Sequence, residues 1–375
     1  MTVLHCCNRI NGFKFRLMFF CTASLLMGME GGEMTFKNRA GSTGVVKCLL
    51  VTGGYGFVGG TFIRWVLANT NVRVVNIDSL TYAAQPEALY QVAGDHRHSF
   101  FHCDINSVGR IVELLEHYKP DALINFAAES HVDRSIIGPA DFVNTNIQGT
   151  FSLLRACQNW LQQCKGPKDF RFLQVSTDEV YGDLGKEGRA SKEGDPWHPS
   201  SPYAASKAAA DHLVDSWVRT YGFPALVSHS SNNYGPWQYP EKLIPKVIDC
   251  ALAGKPIPLY GCGEQVRDWM HVEDHVRALW YLLQRGQPGE HYNIGADFPK
   301  SNIELVMAIC ALLDELSPST QPPGGHASLI RHVEDRPGHD WRYALDTEKI
   351  RLLGWQSEVL FEQGLRDTVA FYLHK

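Results

Sequence analysis

The chain has 375 residues, 44% hydrophobic and 20% charged, with a formal net charge of -5. That composition suits a folded enzyme of one large or two modest domains, and it gives no reason to expect nucleic-acid binding or a polybasic membrane patch. The ten cysteines form no C-x-x-C pair and no His/Cys cluster at zinc spacing, and Cys48, Cys103, Cys250 and Cys310 sit in apolar runs, so buried reduced thiols and no metal are expected.

Residues 1–45 stand apart. Lys14 and Arg16 precede an apolar stretch over 17–27 that loosely resembles a signal-peptide core but is short for a membrane span. A disordered or artefactual extension is the first expectation, a targeting or anchoring segment the second. From residue 47 the pattern changes. The apolar run 47–52 reads as a buried parallel strand and leads straight into Gly53-Gly-Tyr-Gly56-Phe-Val-Gly59, with a helix after it over 61–67. Strand, glycine turn and helix N-terminus form a cradle for pyrophosphate, because free backbone N–H groups and the helix dipole face the anion. The spacing is G-x-x-G-x-x-G, a weak signal alone. A second strand over 72–77 ends at Asp78, ~20 residues past the last glycine, where a carboxylate bonds a ribose 2′-OH and repels a 2′-phosphate. NAD is therefore expected rather than NADP.

Further strands are expected over 99–103, 121–126, 171–175 and 224–228, with helices over 108–118, 140–161 and 203–221. This alternation argues for a parallel sheet with helices on both faces and a site beyond the carboxyl ends of the strands. Asp78, Asp104, the segment Ala127-Ala-Glu-Ser-His-Val-Asp-Arg-Ser135, Thr177-Asp-Glu and Asn232-Asn233 all follow expected strands and should converge on one cleft. After about residue 234 proline, glycine and tryptophan increase and the alternation breaks down. The expected division is an extension over 1–45, a nucleotide-binding domain over 46–233 and a smaller substrate domain over 234–375.

Two motifs carry chemistry. Tyr203-Ala-Ala-Ser-Lys207 puts a phenol and an ammonium one helical turn apart, and the ammonium favours a phenolate base. Val175-Ser-Thr-Asp-Glu-Val-Tyr181 adds a hydroxyl, Thr177, and two carboxyls, Asp178 and Glu179. Hydride transfer needs only the first motif. Removing water from a sugar needs an additional acid and base, which the second supplies.

On these motifs, with Ser231-Asn-Asn-Tyr-Gly-Pro236, Pro240-Glu-Lys-Leu-Ile-Pro245, Arg267-Asp-Trp269 and Asp335-Arg-Pro-Gly-His-Asp340, residues 47–373 resemble the dTDP-glucose 4,6-dehydratases of the extended short-chain dehydrogenase/reductase superfamily. The resemblance implies a Rossmann-type, doubly wound α/β fold with a smaller C-terminal substrate domain, an NAD cofactor, a nucleoside-diphosphoglucose substrate and a cytoplasmic homodimer without stable membrane association. It implies that Tyr203 and Lys207 work at C4 with Thr177, that Glu179 takes the C5 proton and that Asp178 protonates the leaving C6 hydroxyl. On the cofactor side it implies Gly53, Gly56, Phe57, Val58, Gly59, Asp78, Thr81, Asp104, Ile105, Ala127, Ala128, Thr145 and Asn233, beside Tyr203 and Lys207. On the substrate side it implies Ser130, Thr177, Asn232, Lys242, Leu243, Pro258, Tyr260, Arg267, Asn302, Arg336 and His339, the cations facing a diphosphate.

His131 and Asp133 are expected to make structural hydrogen bonds near the cofactor, and Tyr234 and Trp237 to pack. Gly60 and Tyr55 depart from the family's usual serine and alanine, and the loop 182–200 is shorter than in many relatives. The competing readings are a nucleotide-sugar epimerase or decarboxylase, the same dehydratase acting on UDP-glucose, and a non-catalytic NAD-binding scaffold.

Overall fold

The computed structural model describes residues 46–163 and 166–375, so the extension expected over 1–45 lies outside the described residues. In chain order the strands are β1 Cys48–Thr52, β2 Arg73–Asp78, β3 His98–His102, β4 Ala122–Asn125, β5 Arg171–Thr177 and β6 Ala225–Ser230, then β7 Asn232–Tyr234, β8 Ile257–Tyr260, β9 Val266–His271, β10 His291–Ile294, β11 Pro299–Ser301 and β12 Ile330–Val333. Seven of them form one sheet in the order β10-β6-β5-β4-β1-β2-β3, every pairing parallel.

β1 shows why the sheet is buried on both faces. Successive side chains point to opposite sides. Leu49 and Val51 enter one core with Phe62, Val66 and Leu279, whereas Leu50 enters the other with Leu115, Leu153 and Phe172. The helices Phe57–Asn69 and Val272–Arg285 cover the first face, and Val108–Tyr118, Gly149–Gln162 and Pro202–Tyr221 cover the second. This is a doubly wound, Rossmann-type sheet.

The smaller sheets, β11-β9-β7 and β12-β8, pack with the helices Leu243–Leu252, Asn302–Leu316 and Phe361–His374 around a third core that includes Ile248, Leu259, Ile309 and Val369. The chain after residue 234 is not confined to this part: Val272–Arg285 and β10 return to the large sheet. Among the described residues no helix is long and apolar enough to cross a membrane. Cys48, Cys103, Cys250 and Cys310 are buried free thiols.

Helix starts follow local rules. Ser201 Oγ accepts from Ala204 N at 3.1 Å, with Pro202 in the first turn of Pro202–Tyr221. The helix expected over 140–161 is interrupted by a π-helical stretch, Val143–Gln148. Its extra residue per turn lets Asn146 clamp Glu129, accepting from Glu129 N at 2.9 Å and donating to Glu129 O at 3.0 Å, while also donating to Ser206 Oγ at 2.8 Å.

Candidate active site

β1 ends in the glycine turn, and two glycines there are obligatory. Gly53 has φ +67°, and a Cβ on it would lie 2.7 Å from Ala127 N; on Gly59 a Cβ would lie 2.3 Å from Gly53 O. The turn delivers the chain to the N-terminus of Phe57–Asn69, whose open N–H groups favour an anion. Asp78, at the end of β2, accepts from Tyr55 N at 2.9 Å and Leu80 N at 2.8 Å, which fixes the carboxylate; burial nonetheless raises its pKa above the ordinary range.

A cavity of about 130 Å³ beside this turn is lined by Gly53, Gly56, Asp78, Thr81, Asp104, Ile105, Ala127, Ala128 and Thr145. A second, of about 280 Å³, is lined by Gly53, Gly56, Phe57, Val58, Gly59 and Ala128, then by Thr177, Asp178, Glu179, Tyr203, Lys207 and Asn233. Both cavities abut Gly53, Gly56 and Ala128. A dinucleotide fits them: the glycine cradle admits no side chain, and Asn233 Oδ1 is buried with no partner among the described residues. Tyr55 packs its ring edge-on against Phe100 at 4.7 Å, and a Cβ on Gly60 would meet Gly54 O at 3.3 Å, so neither departure closes the cradle.

The reacting groups sit where β5 ends. Thr177 caps the short 3₁₀ turn Asp178–Tyr181, accepting from Glu179 N at 3.4 Å, so hydroxyl, acid and base emerge together. Thr177 Oγ1 also donates to Asp178 Oδ1 at 3.2 Å. Burial, and next the charge of Glu179, push Asp178 well above the carboxylate range; burial also raises Glu179, against the cations Arg336, Arg267 and Lys242. Of the two adjacent carboxyls, both raised by burial, Asp178 is the one pushed further towards its protonated form.

Tyr203 and Lys207 face this turn from Pro202–Tyr221. A phenol lowered by its lysine is not what this site displays. Burial and then Glu179 hold Tyr203 above its ordinary value, the hydrogen bond with Thr177 acts in the other direction, and Lys207 Nζ donates to Val175 O at 2.7 Å.

A third cavity, about 1070 Å³, is lined by Ser130, Glu179, Asn232, Lys242, Leu243, Pro258, Tyr260, Arg267, Asn302, Arg336 and His339, with Thr81 and Thr145 at its cofactor side. Lys242 Nζ donates to Ser130 O at 2.7 Å. Arg267 donates to the carbonyls of Val266, Asp340 and Trp341 and lies 4.2 Å from the Tyr343 ring, so much of its hydrogen bonding is spent within the protein. His131 and Asp133 line this cavity rather than the cofactor cradle. Asp133 Oδ2 accepts from the Tyr260 hydroxyl at 3.0 Å, and Oδ1 lies 3.4 Å from Arg336 Nη1. His131 accepts from Arg134 N at 3.4 Å. Tyr234 is buried, and Trp237 packs on Phe371.

Asn146 and Tyr82 had no sequence signal at all, and Glu129, Arg134 and Glu241 lay inside the quoted motifs without a role of their own. Arg134 lies 3.8 Å from the Tyr82 ring and donates to Glu241 at 2.9 Å, while the Tyr82 hydroxyl donates to Glu129 at 3.2 Å. Only the fold brings these segments together.

The glycine cradle, the acidic end of β2 and the Tyr203/Lys207 pair define a short-chain dehydrogenase/reductase of the extended type. The GDP-mannose 4,6 dehydratase family model matches residues 50–368. A dTDP-glucose 4,6-dehydratase from Haemophilus influenzae is 52% identical over 331 residues, 87% of this chain and 97% of that protein. A crystal structure of the dTDP-glucose 4,6-dehydratase of Streptomyces venezuelae, described with NAD and TYD bound, superposes with a TM-score of 0.79 at 43% identity, covering 88% of this chain and 97% of that one. A UDP-glucose 4-epimerase from Thermotoga maritima shares the fold at 27% identity, with a TM-score of 0.75, 87% of this chain and 99% of that one. The chain belongs to the dTDP-glucose 4,6-dehydratase family.

Proposed function

We propose that the chain converts dTDP-glucose to its 4-keto-6-deoxy product with NAD as a cofactor that is regenerated within each turnover. The observation that supports this most is the lining of one cavity by Thr177, Asp178, Glu179, Tyr203 and Lys207, adjoining a cationic cavity of about 1070 Å³.

The chemistry follows from the acidity of the sugar. The C5 proton is not acidic until C4 is a ketone, whereupon the carbanion is stabilised as an enolate. NAD, when bound, supplies the hydride acceptor at C4 and, once reduced, the hydride donor at C6. Tyr203, in the phenolate form that its hydrogen bond with Thr177 favours and burial opposes, takes the C4 hydroxyl proton while Thr177 hydrogen-bonds the same oxygen. Glu179 abstracts the C5 proton and returns it there, and Asp178 gives its proton to the departing C6 hydroxyl. Each turnover leaves Tyr203 one proton richer and Asp178 one poorer. Thr177, hydrogen-bonded to both, offers the path that resets them. An epimerase has no leaving C6 hydroxyl and no use for a protonated Asp178, which argues against that reading.

Lys242, Arg336 and Arg267 supply positive charge for the diphosphate, and Asp78 binds the adenosine ribose. Residues 46–233 are read as the cofactor domain, with β10 added to its sheet, and 234–375 mainly as the nucleotide-sugar domain. We read the protein as a cytoplasmic homodimer joined through its long helices; the exposed apolar side chains of Val143 and Tyr221 beside them support this. Incubation with dTDP-glucose and UDP-glucose separately, with products read by mass spectrometry, tests the reading. Loss of one water from the first substrate without NADH accumulation is the expected result; a C4 epimer of unchanged mass contradicts it.

A further inference from the structure

The helix Pro202–Tyr221 carries more than the Tyr203/Lys207 pair on the face it turns to β5. Tyr203, Lys207 and Asp211 follow at four-residue spacing, one turn apart along a single stripe. All three engage the carboxyl end of β5. Tyr203 hydrogen-bonds Thr177, Lys207 Nζ donates to Val175 O at 2.7 Å, and Ser176 Oγ donates to Asp211 Oδ2 at 2.5 Å.

Asp211 is 0% exposed and lies 3.4 Å, through Oδ2, from Nε2 of His229, which is itself 0% exposed and stands opposite Ser176 on β6. The Tyr181 hydroxyl, which donates to Asn293 Oδ1 at 2.9 Å, lies 3.1 Å from His229 Nδ1. Asp211 Oδ1 has no partner among the described residues.

Neither Asp211 nor His229 has a part in the reaction scheme. Yet a carboxylate removed from water is costly unless a cation compensates it. The adjacent cation along the stripe is Lys207, which is 4% exposed and meets the converse difficulty: burial favours loss of its proton, and the charge of Asp211 opposes that loss.

We propose that Asp211 is a positioning residue for this reaction: held by Ser176 with His229 beside it, its carboxylate is the counter-ion that keeps Lys207 an ammonium beside Tyr203. The proposal rests on the roles given to Tyr203 and Lys207 above. The groups facing Asp211 are Tyr203 and Lys207 on its own helix, Ser176 on β5 and His229 on β6. Behind His229 stand Tyr181, Glu193 and His291 of β10, whose Nε2 is 2.6 Å from Asp215 Oδ1.

The test is the pH dependence of NADH formation in a single turnover, for the holoenzyme, Asp211→Asn and Asp211→Glu. The alkaline limb reports loss of the Lys207 proton. Asp211→Asn is expected to move that limb down by ~1–3 units, and Asp211→Glu to restore most of the shift. A fall in rate at every pH with the limb unmoved, or a Glu variant identical to the Asn one, overturns the proposal, since a merely structural role predicts that pattern.

Should Asp211→Asn fail to fold, ¹⁵N-lysine NMR of the wild-type holoenzyme, with the resonance assigned through Lys207→Arg, decides. The ammonium is expected to persist through neutrality; conversion to the amine below neutrality overturns the idea. If the wild type forms no NADH at any pH, the dehydratase reading has failed, and the NMR titration still reads Lys207.

Discussion

Thr177 Oγ1 donates to Asp178 Oδ1 across 3.2 Å, and the other oxygen of that buried carboxyl finds no partner among the described residues. A carboxyl with one free oxygen beside a second carboxyl is suited to hold a proton and deliver it to an incoming ligand. Asp178→Asn keeps the shape and removes the proton. It should leave oxidation at C4 intact and slow loss of water by roughly 10²–10⁴-fold, the usual worth of general acid help. Bound NADH should then build up transiently in a single turnover. Tyr203→Phe removes the first base and should give none. Absence of NADH in both variants would assign Asp178 to the oxidation step and overturn its role here.

The same carboxyl carries a pH-dependent stability cost. Its folded pKa is raised, chiefly by burial, above an unfolded value near 3.9. Below about pH 4 it is protonated in both states and costs nothing; as pH rises towards the folded value, the unfolded state gains by ionising and the native state loses ground. The melting temperature of Asp178→Asn should therefore match that of the wild type near pH 4 and exceed it increasingly towards neutrality. A gap that is constant with pH would show that Asp178 is not held protonated.

At the other end of the cleft, Asp78 receives two backbone N–H groups and lines the cofactor cavity. Titration of the apoprotein with NAD and NADP should show a strong preference for NAD. Asp78→Ala should narrow the gap by weakening NAD and relieving repulsion of the 2′-phosphate. Equal affinities in the unmodified protein would place Asp78 away from the ribose.

Asp133 links Tyr260 to Arg336 across the large cavity. Arg336→Ala should raise KM for the nucleotide sugar by about ten- to a hundredfold, the range for losing a charge-assisted hydrogen bond of ~1.5–3 kcal/mol. Its kcat should change less than KM, through the loss of a cation that opposes the raised pKa of Glu179. Steady-state kinetics separates the two parameters, and a fall in kcat at unchanged KM would remove Arg336 from substrate binding.

What could be read from the chain beforehand follows how local the cause is. β1, the glycine turn and the Ser201–Pro202 helix start depend on neighbouring residues, and their patterns are visible in order. Thr177, Asp178 and Glu179 were legible because a strand end puts consecutive side chains at one rim. Asn146 was not, because its direction depends on a π-helical stretch that helical periodicity does not register. Asp133 was assigned to the cofactor side from its neighbours in sequence, whereas its partners, Tyr260 and Arg336, arrive from far along the chain. The return of β10 to the large sheet was equally hidden: the composition changes after residue 234, but a four-residue strand leaves little pattern.

The central claim is that one hydride leaves C4 and returns to C6 of the same sugar with loss of water. Incubating the holoenzyme with dTDP-glucose deuterated at C4, and locating the label by mass spectrometry and NMR, tests it most directly. The expected result is a 4-keto-6-deoxy product carrying the deuterium on its C6 methyl group, with no accumulated NADH. Deuterium remaining at C4 with the C6 hydroxyl intact, or released into reduced cofactor in stoichiometric amount, would contradict it.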